Sequence, residues 1–87
     1  MTKKNNHFVY ILKCSDGTFY TGYTTDVERR IEEHNAGKGA RYTRGRTPVR
    51  PVHVEAFATR SRAMQREYEI KSLNREKKEQ LVRGEAD

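Results

Sequence analysis

The run from Tyr20 to Asn35 constrains this chain more than any other, because it passes from strand to helix within a few residues. It reads Tyr-Thr-Gly-Tyr-Thr-Thr-Asp-Val-Glu-Arg-Arg-Ile-Glu-Glu-His-Asn. Phe19, Tyr20 and Tyr23 around Gly22 have strand character. Thr25 followed three residues later by Glu28 forms a capping-box pattern, in which each side chain satisfies a free backbone N–H at the other position. Gly37, just after Asn35 and Ala36, can take the left-handed conformation that ends a helix. At about 100° per residue, Val27 and Ile31 make the buried stripe, and Arg30 and His34 stand one turn apart beside it. Glu28, Arg29, Glu32 and Glu33 fall towards solvent. An arginine and a histidine thus leave the core-facing side of a short helix and point at the tyrosine strand before it.

That strand has a partner. Residues 8–14 (Phe-Val-Tyr-Ile-Leu-Lys-Cys) are rich in β-branched and aromatic types and predict strand one. Ser15-Asp16-Gly17-Thr18 is a hairpin signal with two possible registers. A two-residue Asp16-Gly17 turn puts Tyr10 and Tyr20 on opposite faces of the sheet. A three-residue loop with Gly17 left-handed pairs Cys14 with Thr18 and puts both tyrosines on one face. Local sequence does not decide between them. The second is favoured because it gathers Tyr10, Tyr20, Arg30 and His34 around one point.

Charge enters the argument after the helix. The chain carries a net charge of +6. Between Gly37 and Arg62, Lys38, Arg41, Arg44, Arg46, Arg50, Arg60 and Arg62 face the single acid Glu55, an excess equal to that whole charge. Such a segment fits a polyanionic partner better than an arginine-rich loop that only aids solvation. Gly37, Gly39, Gly45, Tyr42, Thr43 and Thr47 are interleaved with the arginines. Glycines let a backbone approach phosphates, and hydroxyls bind phosphate oxygens. Lys38, Arg41, Tyr42, Arg44, Arg46 and Arg50 are therefore the expected nucleic-acid contacts.

The remainder completes a small domain. Gly37 to Arg50 is expected to be an irregular loop, and Pro51–Phe57 alternates as strand three with Pro51 at its edge. Thr59 or Ser61 caps a second helix running to about Leu73, with Ala63, Ile70 and Leu73 on its core side and Met64 with Tyr68 on a flank. Glu67 falls between Ala63 and Ile70, where a lone carboxylate is costly unless it meets a cation. Asn74 caps a third helix through Val82. The expected fold is α+β: a three-stranded antiparallel sheet flanked by about three helices, spanning residues 7–82. Residues 1–6 are expected to be a flexible polar arm and 83–87 a frayed tail. A single cysteine, Cys14, excludes an intrachain disulfide and is expected in the core. His7 and His53 are expected to be plain strand residues. With no apolar run of membrane-crossing or export length, the expected compartment is the cytoplasm, with no membrane partner.

In order and spacing, these residues resemble the GIY-YIG nucleases over roughly residues 7 to 82. The first family motif matches Phe8-Val9-Tyr10 and the second Tyr20-Thr21-Gly22. The family's arginine and histidine match Arg30 and His34, and its metal-binding glutamate matches Glu67. Lys71-Ser72-Leu73-Asn74-Arg75 is similar to the small single-domain bacterial subgroup. Phe8 and Val9 replace the glycine and isoleucine of the first motif, and Thr21 replaces the isoleucine of the second. These are strand positions, and both tyrosines are kept.

The resemblance implies an endonuclease using one divalent ion, Mg²⁺ or Mn²⁺, on DNA rather than RNA, with a protein partner a candidate source of specificity. Glu67 would hold the ion, since Mg²⁺ accepts few carboxylates and keeps several waters. Arg30 would clamp the scissile phosphate with its planar fork. Tyr20 or Tyr10 would take the proton from water. Lowering a tyrosine pKa from about 10 to about 7 requires roughly 4 kcal/mol of phenolate stabilisation. His34 would orient that tyrosine or act as the base itself.

Each residue has a plainer explanation. The tyrosines suit any strand surface, Arg30 can pair with Glu33, His34 suits a helix C-terminus, and Glu67 can pair with Lys71. Five coincidences in the right order are a poorer explanation than one site. A catalytically silent nucleic-acid-binding module is the alternative of a different class.

Overall fold

Strand β1 (His7–Lys13) lies in the middle of the sheet, between β2 (Phe19–Thr24) and β3 (Arg50–Phe57), and is antiparallel to both. The computed structural model describes residues 5–84, so most of the proposed polar arm and the last three residues of the proposed tail lie outside the described residues. Three helices follow the expected order: α1 (Val27–Asn35), α2 (Arg60–Lys71) and α3 (Arg75–Val82). The architecture is α+β, as the sequence predicts.

The central strand is apolar on both faces, which is why it needs cover on both. Val9 and Ile11 point one way, towards Ala63 and Ile70 of α2 and Leu81 of α3. Tyr10 and Leu12 point the other way, joining Cys14, Val49, Tyr20 and Ile31 of α1. Cys14 is buried there, as expected. The sheet is therefore a partition between two small cores, and α1 packs on the second.

The β1–β2 hairpin settles the register left open by sequence. Leu12 pairs with Tyr20 and Tyr10 with Gly22. The Cys14 N–H donates to Thr18 O at 2.8 Å, closing a three-residue loop. Gly17 supplies the required positive φ of +85°. Tyr10 and Tyr20 consequently lie on one face.

Three expectations change in detail. Helix α1 is capped by Asp26, whose carboxylate accepts from the Arg29 N–H at 3.1 Å, so the Thr25–Glu28 box does not form. The chain turns off β2 through the Thr24 hydroxyl, which accepts from the Asp26 N–H at 3.0 Å. This delays the helix by one residue and gives its positive end a charged acceptor. Helix α2, capped by Thr59, ends at Lys71, leaving Leu73 half-buried in the connection to α3. Tyr68 does not cover a flank but stands 75% exposed. At the other terminus, Arg83 and Gly84 form a turn after α3. The Gly84 N–H donates to Leu81 O at 3.1 Å, with Gly84 at φ +81°, which closes α3.

The basic segment is better ordered than an irregular loop. It contains a 3₁₀ turn at Arg41–Thr43. Asn35, at the end of α1, grips Val49 at both backbone groups, accepting its N–H at 2.7 Å and donating to its carbonyl at 3.2 Å. The Ser15 N–H donates to Arg46 O at 2.8 Å, tying the segment to the hairpin. Among the described residues no helix is long and apolar enough to cross a membrane.

Candidate active site

One turn of α1 separates Arg30 from His34, and both reach the tyrosine face of the sheet. His34 is 0% exposed and Tyr10 is 1% exposed. Sequence placed His34 beside the buried stripe, whereas it is the most deeply buried residue of the helix. Its Nε2 lies 3.0 Å from the Tyr10 hydroxyl. Its Nδ1 lies 2.8 Å from Thr43 Oγ1, and the Ala40 N–H points at Nδ1 from 3.4 Å. Thr43 donates its own hydroxyl proton to Ala40 O at 2.9 Å, so its oxygen is free to accept. The shorter contact decides the tautomer. Nδ1 carries the proton and gives it to Thr43, leaving Nε2 to accept from Tyr10.

Two glycines make room for this pair. A Cβ on Gly22 would strike the Tyr10 hydroxyl, and one on Gly39 would strike the His34 ring. Gly39 and Thr43 were expected to meet phosphate. Instead the Thr43 hydroxyl is buried against His34, and Gly39 is the floor on which the ring rests. Neither role shows in the linear sequence except as a glycine-and-hydroxyl cluster within nine residues of His34.

Burial dominates the electrostatics. The Tyr10 hydroxyl is pushed up to about 12 by burial, with the Arg30 guanidinium pulling the other way and charges on Tyr20 and Glu67 adding to the rise. Burial, and then Arg30, hold His34 below the usual imidazole range, so it is neutral at neutral pH. A folded-state pKa raised above the unfolded value contributes stability that is complete below pH 10 and is lost as pH rises through about 12. A two-unit shift corresponds to about 3 kcal/mol. Denaturant titrations across that window should show the wild-type chain losing stability, and Tyr10→Phe should flatten the curve. A wild-type curve that is already flat there would mean Tyr10 is not buried as described.

Arg30 bonds Glu33 Oε1 at 2.9 Å and also lies against the Tyr10 hydroxyl. Glu67, on α2, is 17% exposed at its side chain and pairs with Lys71 at 3.0 Å. Both pairings match the plainer explanations of these residues. The charge of Glu67 is the smallest influence on the Tyr10 hydroxyl, and its contact is with Lys71. Tyr20 is half-buried, with its ring 5.3 Å from that of His34 and 6.4 Å from that of Tyr10. The structure thus brings Tyr10, Tyr20, Arg30 and His34 together, while Glu67 pairs with Lys71 on its own helix.

It divides the expected nucleic-acid contacts. Tyr42 stacks on Tyr20 at 5.9 Å, and the Arg46 guanidinium lies 4.2 Å over the Tyr42 ring. Arg46 is also paired to Asp16 at 2.9 Å, so an acid from the distant hairpin neutralises an arginine that the linear segment leaves uncompensated. Lys38, Arg41 and Arg44 are exposed, with no ion pair among the described residues. Arg50 lies apart from them, opposite Lys13 at the start of β3. His7 and His53 are strand residues, in β1 and β3 as expected: His7 Nδ1 is 2.8 Å from the Tyr23 hydroxyl, and His53 Nε2 is 2.7 Å from Glu55.

The chain is similar to known proteins over most of its length. Residues 6–80 match the GIY-YIG catalytic domain. A UPF0213 protein of Haloquadratum walsbyi is 67% identical over 81 residues, covering 93% of this chain and 91% of that one. The solution NMR structure of a UPF0213 protein from Bacillus halodurans is 63% identical, with a TM-score of 0.58 over 87% of this chain and 81% of that one. A solution NMR structure from E. faecalis is 49% identical, with a TM-score of 0.63 over 97% and 90%.

Proposed function

The chain belongs to the GIY-YIG family of nucleases, and from that premise we propose that it is a divalent-metal-dependent endonuclease hydrolysing phosphodiester bonds in single-stranded or structured DNA. The observation that carries this is the buried Tyr10–His34–Thr43 chain with Arg30 beside it. A phenol, an imidazole and a hydroxyl linked in line form a path for a proton.

A free Tyr10 phenolate is too costly to be the base. From about 12 to neutral pH is about five units, or roughly 7 kcal/mol. The hydrogen-bonded chain avoids that state. Water gives a proton to Tyr10 Oη as the proton of Tyr10 passes to His34 Nε2, and the Nδ1–H of the resulting imidazolium remains held by Thr43. The hydroxide attacks phosphorus, the P–O bond to the leaving oxygen breaks, and solvent protonates that oxygen. His34 has both ring nitrogens engaged, by Tyr10 and by Thr43, so it acts through Tyr10 and not on water directly. Arg30 clamps the phosphate, exchanging its contact with Glu33 for the stronger charge of the ligand. Tyr20, half-buried with Tyr42 stacked against it, forms the wall facing substrate.

The residues fit a single-carboxylate metal site. Among the described residues no cluster of three His, Cys, Asp or Glu side chains can hold an ion. Mg²⁺ needs only one or two carboxylates when waters and substrate phosphate complete its shell. Glu67 would hold it once the exposed Lys71 swings aside. When bound, the ion would act as a Lewis acid on the phosphate.

The catalytically silent binding module has one specific observation in its favour: Arg30 and Glu67 are both engaged by neighbours on their own helices. Incubation with labelled DNA or RNA, in Mg²⁺, Mn²⁺ or chelator, separates the two. Metal-dependent cleavage of DNA is expected. Binding without cleavage in every condition would establish the silent module instead.

Binding itself is tested by salt. Each phosphate contact to a single strand contributes about −0.7 to the slope of log affinity against log salt. Replacing Lys38, Arg41 and Arg44 together by alanine should flatten the slope by about 2, for every sequence tested. An unchanged slope would make this face only a solvated surface. Arg46 is left out of the triple because its loss would also unpin the segment from Asp16.

A further inference from the structure

A second cluster of cations lies on the other side of the sheet, away from Tyr10. Phe19, Lys13 and Arg50 stand side by side across the three strands, Lys13 being the register partner of both. Partners in register share a face, and strands are about 4.8 Å apart. Arg75 of α3 lays its guanidinium 4.3 Å over the Phe19 ring. A cavity of about 290 Å³ is bordered by Lys13, Phe19, Arg50, Arg75, Glu79 and Arg83. Four of these are cationic and one is acidic. Glu79 already binds Arg75 at 2.9 Å, which leaves other N–H groups of that guanidinium available.

The Lys13–Arg50 pair is the informative feature. Like charges directly opposite on neighbouring strands destabilise a sheet. Neither side chain has an ion pair among the described residues to offset that repulsion. A second cavity, about 340 Å³, abuts the same two residues and continues past Cys14 and Ser15 to Pro48 and Val49, where the basic segment ends. Lys13 and Arg50 thus join the basic segment on one face to the α3 cavity on the other.

We propose that this groove is a second phosphate-binding track, through which a nucleic-acid strand leaving the active site passes around the hairpin end of the sheet. It rests on the nuclease reading above and extends it to the flank of the substrate. Lys13, Arg75 and Arg83 are new contacts, and Arg50 joins this track instead of the Lys38–Arg44 face. The partner is a nucleic-acid backbone because a row of cations matches a repeating anion, and because the groove is continuous with the basic segment. The substrate must therefore be long enough to reach from Tyr10 to Lys13, about 10 Å along β1, and round to the opposite face.

The test uses the full chain, with a long single-stranded oligonucleotide and inorganic phosphate as probes. Lys13→Gln with Arg75→Gln should flatten the salt slope of oligonucleotide affinity by about 1.4, two contacts at about 0.7 each. Lys13→Arg in place of Lys13→Gln should recover the Lys13 half of that loss. Without nucleic acid, Lys13→Gln alone should melt at a higher temperature than wild type, since it removes the cross-strand repulsion. Wild-type binding with an unchanged slope in the double variant would overturn the track and leave the nuclease reading intact. No binding by the wild-type chain would overturn both. Inorganic phosphate raising the melting temperature as much as the oligonucleotide, at equal phosphate concentration, would make this an isolated anion site and overturn the track.

Discussion

Glu67→Gln should lower Mg²⁺-dependent cleavage by about a thousandfold while leaving affinity for DNA nearly unchanged. The side chain is nearly isosteric, so the site keeps its shape and loses only the charge that a hard cation requires. Folding should be little affected. The Glu67–Lys71 pair spans one helical turn at 3.0 Å, and such pairs contribute only about 0.3–0.5 kcal/mol. The measurement is a single-turnover rate in Mg²⁺, with affinity determined separately in chelator. Full activity in the variant would remove Glu67 from the metal site. Lost affinity with an unchanged rate at saturation would make it a binding residue instead.

The second large effect concerns a residue with no side chain. Gly22 of β2 is the register partner of Tyr10, and a methyl group there would land on the phenol oxygen and the ring carbon bearing it. Strand β2 cannot retreat without breaking its ladder to β1, so Tyr10 must move off His34. Gly22→Ala should therefore cost about 1–3 kcal/mol as overpacking of a full core. It should also lower cleavage by about a hundredfold, the usual scale for losing one proton-transfer group. Gly39→Ala should act on the same pair from the histidine side, since its methyl would meet the His34 ring. Denaturant unfolding reports the first effect and single-turnover cleavage the second. A Gly22→Ala chain that is destabilised yet fully active would show that catalysis does not use the Tyr10–His34 bond.

Much of the site is legible in sequence because it lies on short, strongly patterned elements. The 3.6-residue period puts Arg30 and His34 on one side of α1 without any knowledge of the fold. The period of two puts Tyr10 and Tyr20 together once Gly17 selects the three-residue loop. What sequence does not carry is contact between distant segments. Asp16 meets Arg46 thirty residues later, and Thr43 meets His34 across the end of a helix. In both cases the linear neighbours point to a different use, phosphate binding, and the folded neighbours take the group instead. The cap of α1 fails for a local reason: Thr25 matches the pattern, but the turn off β2 gives the position to Asp26. Tyr68 fails for a related one. It lies on the same helix as Ala63 and Ile70, but on its exposed side.

The most direct test of the central claim compares wild-type chain with Tyr10→Phe on one labelled DNA, under single-turnover conditions at saturating protein. Phenylalanine keeps the ring in the core and removes only the hydroxyl that bonds His34 Nε2 at 3.0 Å. The two chains should bind equally well, the wild type should cleave in Mg²⁺ and not in chelator, and Tyr10→Phe should cleave about a hundredfold more slowly. Equal cleavage rates in the two chains would contradict the account, because the buried tyrosine–histidine path would then carry no proton in the reaction.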